Sequence, residues 1–162
     1  MKRLLVPVAG LVLIGSGFGA GIAVSSASAD DPAPVTVTRQ SLAEVAAPPG
    51  APKRTLGLSK VTVMPGSQLA SHHHPGAQLG YIAEGALTYT VESGSAVVMS
   101  GPGDDAKVVK RLKAGMTYRV KAGQWLREEQ GEVHHARNAG TVPILIYLAT
   151  LFKTGKPAAI PD

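Results

Sequence analysis

After Thr55, apolar and polar residues trade places at nearly every second position. The runs "LSKVTVM", "LGYIA", "ALTYTVE", "SAVVMS", "KVVKRL", "MTYRV", "QWLRE", "HHARN" and "PILIYLATLF" follow one another at short intervals. Alternation with a period of two puts one face of each run against a core and the other in water, the pattern of a strand. Turn formers separate the runs: Pro65-Gly66, Pro75-Gly76, Glu84-Gly85, Ser93-Gly94, Gly101-Pro102-Gly103-Asp104, Ala114-Gly115, Ala122-Gly123 and Asn138-Ala139-Gly140. Many short strands with such punctuation predict an antiparallel sandwich or barrel. Beyond the N-terminal apolar run, no stretch keeps a helical period for three turns. Only "SLAEVAA" could form a short helix, and Pro48-Pro49 would end it.

Two stretches break the alternation. Residues 1–29 begin with Lys2 and Arg3, run apolar from Leu4 to Val24, and close on Ala27-Ser28-Ala29. This is the order of a secretory signal, with the cut expected after Ala29 and a secreted or periplasmic product. Once it is removed, no stable membrane span is expected. Residues 30–54 are rich in Pro and Ala and read as a linker or N-terminal arm, with one short strand over Val35–Thr38. The strand-rich domain is then 55–152, and 153–162 form a C-terminal tail.

Composition changes the picture in two places. The 162 residues contain no cysteine, so an exported chain of this kind has no disulfide framework. Its stability must come from a core, a metal or subunit contacts, and a homodimer stays open. The formal charge of +5 comes from 16 basic and 11 acidic residues. Loss of Lys2 and Arg3 leaves 14 against 11, a charge of +3. Lys107, Lys110, Arg111 and Lys113 sit in an alternating run without interleaved aromatics. They read as a solvated strand face, and a nucleic-acid partner is not expected.

The chain has five histidines, placed as His72-His73-His74 and His134-His135. On a strand, His72 and His74 point to one face and His73 to the other; His134 and His135 likewise diverge. Gln78, beyond the Pro75-Gly76 kink, opens the next alternating run and shares a face with Gly80 and Ile82. Three imidazoles and an amide oxygen form a reasonable shell for a divalent transition metal.

The spacing around these residues is specific. From Gly66 the chain reads Gly, five residues, His72, one residue, His74, three residues, Gln78, six residues, Gly85. From Gly123 it reads Gly, five residues, Glu129, one residue, Gly131, two residues, His134, three residues, Asn138. The pair resembles the two motifs of the cupin superfamily, G-x5-H-x-H-x3,4-E-x6-G and G-x5-P-x-G-x2-H-x3-N. Gln78 stands where the family usually has Glu, and Glu129 where it usually has Pro.

The resemblance spans roughly residues 56–152. It implies an all-β fold, the double-stranded β-helix or jelly-roll barrel of a small monocupin. It also implies that His72, His74, Gln78 and His134 occupy the four metal-ligand positions. Gly66, Gly85, Gly123 and Gly131 are expected at turns, and Asn138 on local backbone groups. The implied cofactor is one divalent transition metal: Mn, Fe, Ni or Zn. "SGPGDDAKVVKR" reads as an extended hairpin near the pocket mouth.

An amide at position 78 would leave the metal its full formal charge and sharpen its polarisation of a bound carbonyl, hydroxyl or water. That favours Lewis-acid lyase or isomerase chemistry on a small molecule. The alternatives are an Fe-dependent dioxygenase of the quercetinase-like or three-His type, and a non-catalytic small-ligand or metal binding module. Candidate proton carriers are Tyr89, Tyr118, Glu128 and Glu129, with Glu129 read as a solvent-facing turn residue. Tyr81 and Trp125 are expected in the core, and Met64, Met99 and Met116 in the pocket lining or core.

Overall fold

A computed structural model describes residues 36–162. The expected signal segment lies outside the described residues. Among the described residues twelve strands form: β1 (Val37–Ala46), β2 (Arg54–Val63), β3 (Gln68–His73), β4 (Gly76–Glu84), β5 (Ala86–Ser93), β6 (Ser95–Ser100), β7 (Lys107–Lys113), β8 (Thr117–Lys121), β9 (Gln124–Glu128), β10 (Val133–Arg137), β11 (Ile144–Lys153) and β12 (Ile160–Pro161). They pair antiparallel in two sheets, ordered β1-β2-β11-β4-β9-β6-β7 and β12-β3-β10-β5-β8. This is the antiparallel sandwich that the alternation predicts, in the jelly-roll form that the resemblance implies.

The core lies between the sheets because alternate residues of each strand face inward. On β11, Ile144, Ile146, Leu148, Thr150 and Phe152 are buried in strict alternation. Ile144, Ile146 and Leu148 share one core with Val61 and Val63 of β2, Ile82 of β4, Leu126 of β9, and Leu87 and Val91 of β5. Each fully buried aliphatic side chain stabilises the fold by about 1.5–3 kcal/mol. Gly85 turns β4 into β5 with a φ of 77°, where a side chain would be strained and would also press on Ile144.

Several local expectations change. Over 37–46 the chain forms a ten-residue edge strand on β2, where a short strand and a possible helix were expected. All ten residues of β1 are exposed, so no buried face advertises the strand in sequence. A register shift between Ser41 and Ala43 breaks its ladder, which with Arg39 and Glu44 blunts the open edge against further pairing. The segment 153–162 returns to the sandwich, where β12 pairs with β3. The hairpin expected over 100–111 is present as the β6–β7 pair and its connection, with a 3-10 turn over Gly103–Asp105. It does not line the main cavity.

Tyr81 and Trp125 are not in the core. They pair across β4 and β9 and border a shallow outer depression with Tyr147 and Leu79. Met64 is exposed, whereas Met116 packs against the core. Neither they nor Met99 line the main cavity.

Candidate metal centre

Two cross-strand pairs, one in each sheet, build the site. In the five-stranded sheet His134 of β10 lies directly opposite His72 of β3. In the seven-stranded sheet Gln78 of β4 lies directly opposite Glu128 of β9. His74 stands between the sheets, one residue past the end of β3 and before Pro75 leads the chain into β4. Register shifts flank His134 on both of its neighbours. Such bulges re-aim a side chain next to a site.

Gly76 makes the crossing tight enough. A Cβ there would lie 2.2 Å from the carbonyl oxygen of Leu151, so the chain can approach β11 this closely only without a side chain.

The three imidazoles of His72, His74 and His134 bring ligand atoms within 4.8 Å of one another. All three are buried, at 8%, 4% and 3% exposure. His72 Nδ1 lies 2.7 Å from the Ala70 carbonyl oxygen and His74 Nδ1 lies 2.5 Å from that of Ala158. A carbonyl only accepts, so in both rings Nδ1 carries a proton, and in the neutral ring Nε2 is left with its lone pair. Such a hydrogen bond from Nδ1 to a backbone carbonyl fixes the tautomer and the angle of a metal-binding ring. His134 Nδ1 is buried without a hydrogen-bond partner, 3.7 Å from Glu132.

The other two histidines face away, as expected. His73 pairs with Asp162 at 2.7 Å and His135 with Glu92 at 2.5 Å. Gln78 faces inward with Gly80 and Ile82. Its Nε2 donates to Glu128 Oε2 at 2.6 Å and reaches His74 Nε2 at 3.1 Å, while its carbonyl oxygen is buried with no partner.

Of the candidate proton carriers, Tyr89 and Glu128 line the cavity. Tyr118 packs against the core, and Glu129 is exposed beside Arg127. Glu128 is the residue whose part the sequence understated. Its carboxylate is 4% exposed, 3.4 Å from His74 Nε2 and 4.0 Å from His134 Nε2. Burial works against its charge, but His74, His134 and the Gln78 amide prevail and hold its pKa at about 2. Burial and the Glu128 charge push Glu132 up to about 8, opposed by the hydrogen bond from Tyr89 at 2.8 Å. Burial draws His134 down to about 4, which favours its neutral ring.

The site opens on a cavity of about 360 Å³, within the range of small-molecule pockets. Its walls are mainly apolar, with Leu87, Leu126, Ile146 and Leu148 around the imidazoles, and Arg39 of β1 stands among the lining residues. The donor set fits a divalent metal. Three buried imidazoles converge, two of them oriented by backbone carbonyls, and the buried Gln78 Oε1 lacks a protein partner.

No family model matches the sequence, and no curated protein matches it. Among solved structures, the chain is similar to a cupin 2 domain-containing protein from Halorhodospira halophila. Identity is 13%, over 78% of this chain and 70% of that one, with a TM-score of 0.50. It is also similar to a protein with a double-stranded beta-helix domain from Klebsiella pneumoniae, at 24% identity over 81% and 89% of the two chains, with a TM-score of 0.36. A cupin superfamily protein from Desulfitobacterium hafniense shares 15% identity over 73% and 79%, with a TM-score of 0.41. The likeness to the Halorhodospira halophila structure shows the cupin fold.

Proposed function

We propose that His72, His74 and His134 hold one divalent transition metal (Mn, Fe, Ni or Zn), with Gln78 and Glu128 beside it, and that a small molecule enters the cavity to meet it. The observation that carries this reading is the convergence of three buried imidazoles from separate segments within 4.8 Å. The bound ion would polarise a carbonyl, hydroxyl or water. That suits lyase or isomerase chemistry on a small substrate.

The chain's own residues supply the rest. The apolar walls exclude water and accept a hydrocarbon body. Tyr89 keeps its proton, since burial and then the charges of Glu128 and Glu132 raise its pKa well above the usual phenol value. Its one O–H donates to Glu132 at 2.8 Å, so toward the cavity it offers an oxygen that accepts. Arg39 forms no salt bridge among the described residues, so an anionic group on the ligand would meet a free guanidinium.

Elemental analysis of protein purified from its own host tests the reading. Stoichiometric metal is expected, and His72→Ala or His134→Ala should remove it. Retention of stoichiometric metal in both variants would refute it. Export belongs to the same proposal, and the exported protein should begin at Asp30.

The buried carboxylate favours a second reading, an oxygen-activating iron centre. With Glu128 so close, the ion would not keep the undiminished charge that Gln78 alone implies. Imidazole and carboxylate donors with open positions suit non-haem Fe(II). Under this reading the Fe(II) form turns over phenolic substrates only after air is admitted to an anaerobic assay.

A further inference from the structure

We infer that the cavity takes a small monocarboxylate with a hydrocarbon body, its carboxylate held by Arg39 at the β1 edge and its other end directed at the imidazoles. The inference rests on the reading of this cavity as a small-molecule site and adds the chemical class and orientation of the ligand.

Register places the guanidinium. Arg39 of β1 lies directly opposite Val61 of β2, a buried core residue. Directly opposite side chains in a ladder share one face of the sheet. Arg39 therefore projects to the inner side of the seven-stranded sheet, as does Val37 opposite Val63. Both line the main cavity. Because β1 is an edge strand, Arg39 stands at the rim, where the residue is still exposed to water.

Charge selects the partner. Among the described residues, Arg39 is the only lysine or arginine that lines this cavity. The surrounding protein strips enough water from it to lower its pKa, yet a guanidinium stays charged. No carboxylate of the described residues pairs with it. One guanidinium balances one negative charge, and its planar fork matches the two oxygens of a carboxylate. A phosphate dianion would be left half-neutralised here. The adjoining polar depression that Arg39 also borders has Lys153 and Lys156 as well.

Strand order sets the orientation. Between β1 and the strands of Gln78 and Glu128 lie β2 and β11, which give the cavity the apolar side chains of Val61, Ile146 and Leu148. Glu128, the acid among the lining residues, is on β9, four strands from β1. At about 4.8 Å per strand that is roughly 19 Å along the sheet. The hydrocarbon body then crosses β2 and β11, and the carboxylate stays at the rim.

Isothermal titration with octanoate and with its neutral counterpart octanamide tests this, on the protein as purified and again after metal removal with EDTA. Octanoate should bind about tenfold tighter than octanamide, or more, in both forms. Arg39→Gln should abolish that preference and leave octanamide binding as it was, and Arg39→Lys, which keeps the charge without the fork, should retain part of it. Each methylene removed on going to hexanoate should weaken binding about fourfold. Octyl phosphate should bind no tighter than octanoate; tighter binding overturns the monocarboxylate assignment. Equal binding of octanoate and octanamide, or a preference that survives Arg39→Gln, overturns the inference. A preference that survives Arg39→Gln but disappears with the metal does so too, and leaves the metal reading standing. A protein that holds no metal and still prefers octanoate through Arg39 supports the inference while the metal reading fails. Circular dichroism shows whether each form folds; where EDTA unfolds the protein, the variants compared as purified decide.

Discussion

Asn138 shows how much one side chain can settle near the site. Its Nδ2 donates to the carbonyls of Val63 and Val142, and its Oδ1 accepts from the Gly140 backbone N–H. Those bonds tie the loop after β10 to the end of β2. Asn138→Ala leaves buried backbone groups unpaired, so unfolding in urea should show a loss of about 1–3 kcal/mol. The residue is at the end of the second motif, and its local role is readable from that position. Glu128 is different. It falls among the five unassigned residues between Gly123 and Glu129, where spacing says nothing of facing. Only the pairing of β4 with β9 reveals that it stands opposite Gln78.

At the scale of elements, the last residues of the chain matter more than a tail would. The Ala158 carbonyl accepts from His74 Nδ1, and β12 closes on β3 through Ile160 opposite His73. A chain ending at Lys156 should keep its sandwich, because the buried core lies within β2–β11. Its metal affinity should fall about 10–100-fold, the usual effect of losing an outer-shell partner of a ligating histidine; chelator competition measures it. Of β1 only the start, within the expected Val35–Thr38 strand, is legible beforehand, and β12 is not, for related reasons. β1 has no inward apolar row, and β12 is two residues long. By contrast, β4 and β11 alternate because each buries one face, so composition exposes them.

Across the whole molecule, the site joins layers that the sequence keeps apart. His72–His134 belongs to one sheet and Gln78–Glu128 to the other. The motif spacing conveys the imidazole positions because each cluster is local in sequence. It does not convey which sheet each wall comes from, since that depends on strand order. An ion bound only by the folded state stabilises it by mass action. Free metal at a hundredfold excess over Kd adds about 2.7 kcal/mol. Stripping the metal with a chelator should therefore lower the thermal midpoint by several degrees, and adding it back should restore it; scanning calorimetry measures both. Among the described residues, no helix is long and apolar enough to cross a membrane.

The closing of the C-terminus onto β3 has a practical side. Asp162 uses its backbone N–H on the Ser71 carbonyl and its carboxylate on His73, next to the strand that delivers His72. A polyhistidine purification handle fused directly there would add competing imidazoles beside the very ring whose occupancy is to be measured. A cleavable handle, removed to leave Asp162 as the last residue, keeps the measurement clean.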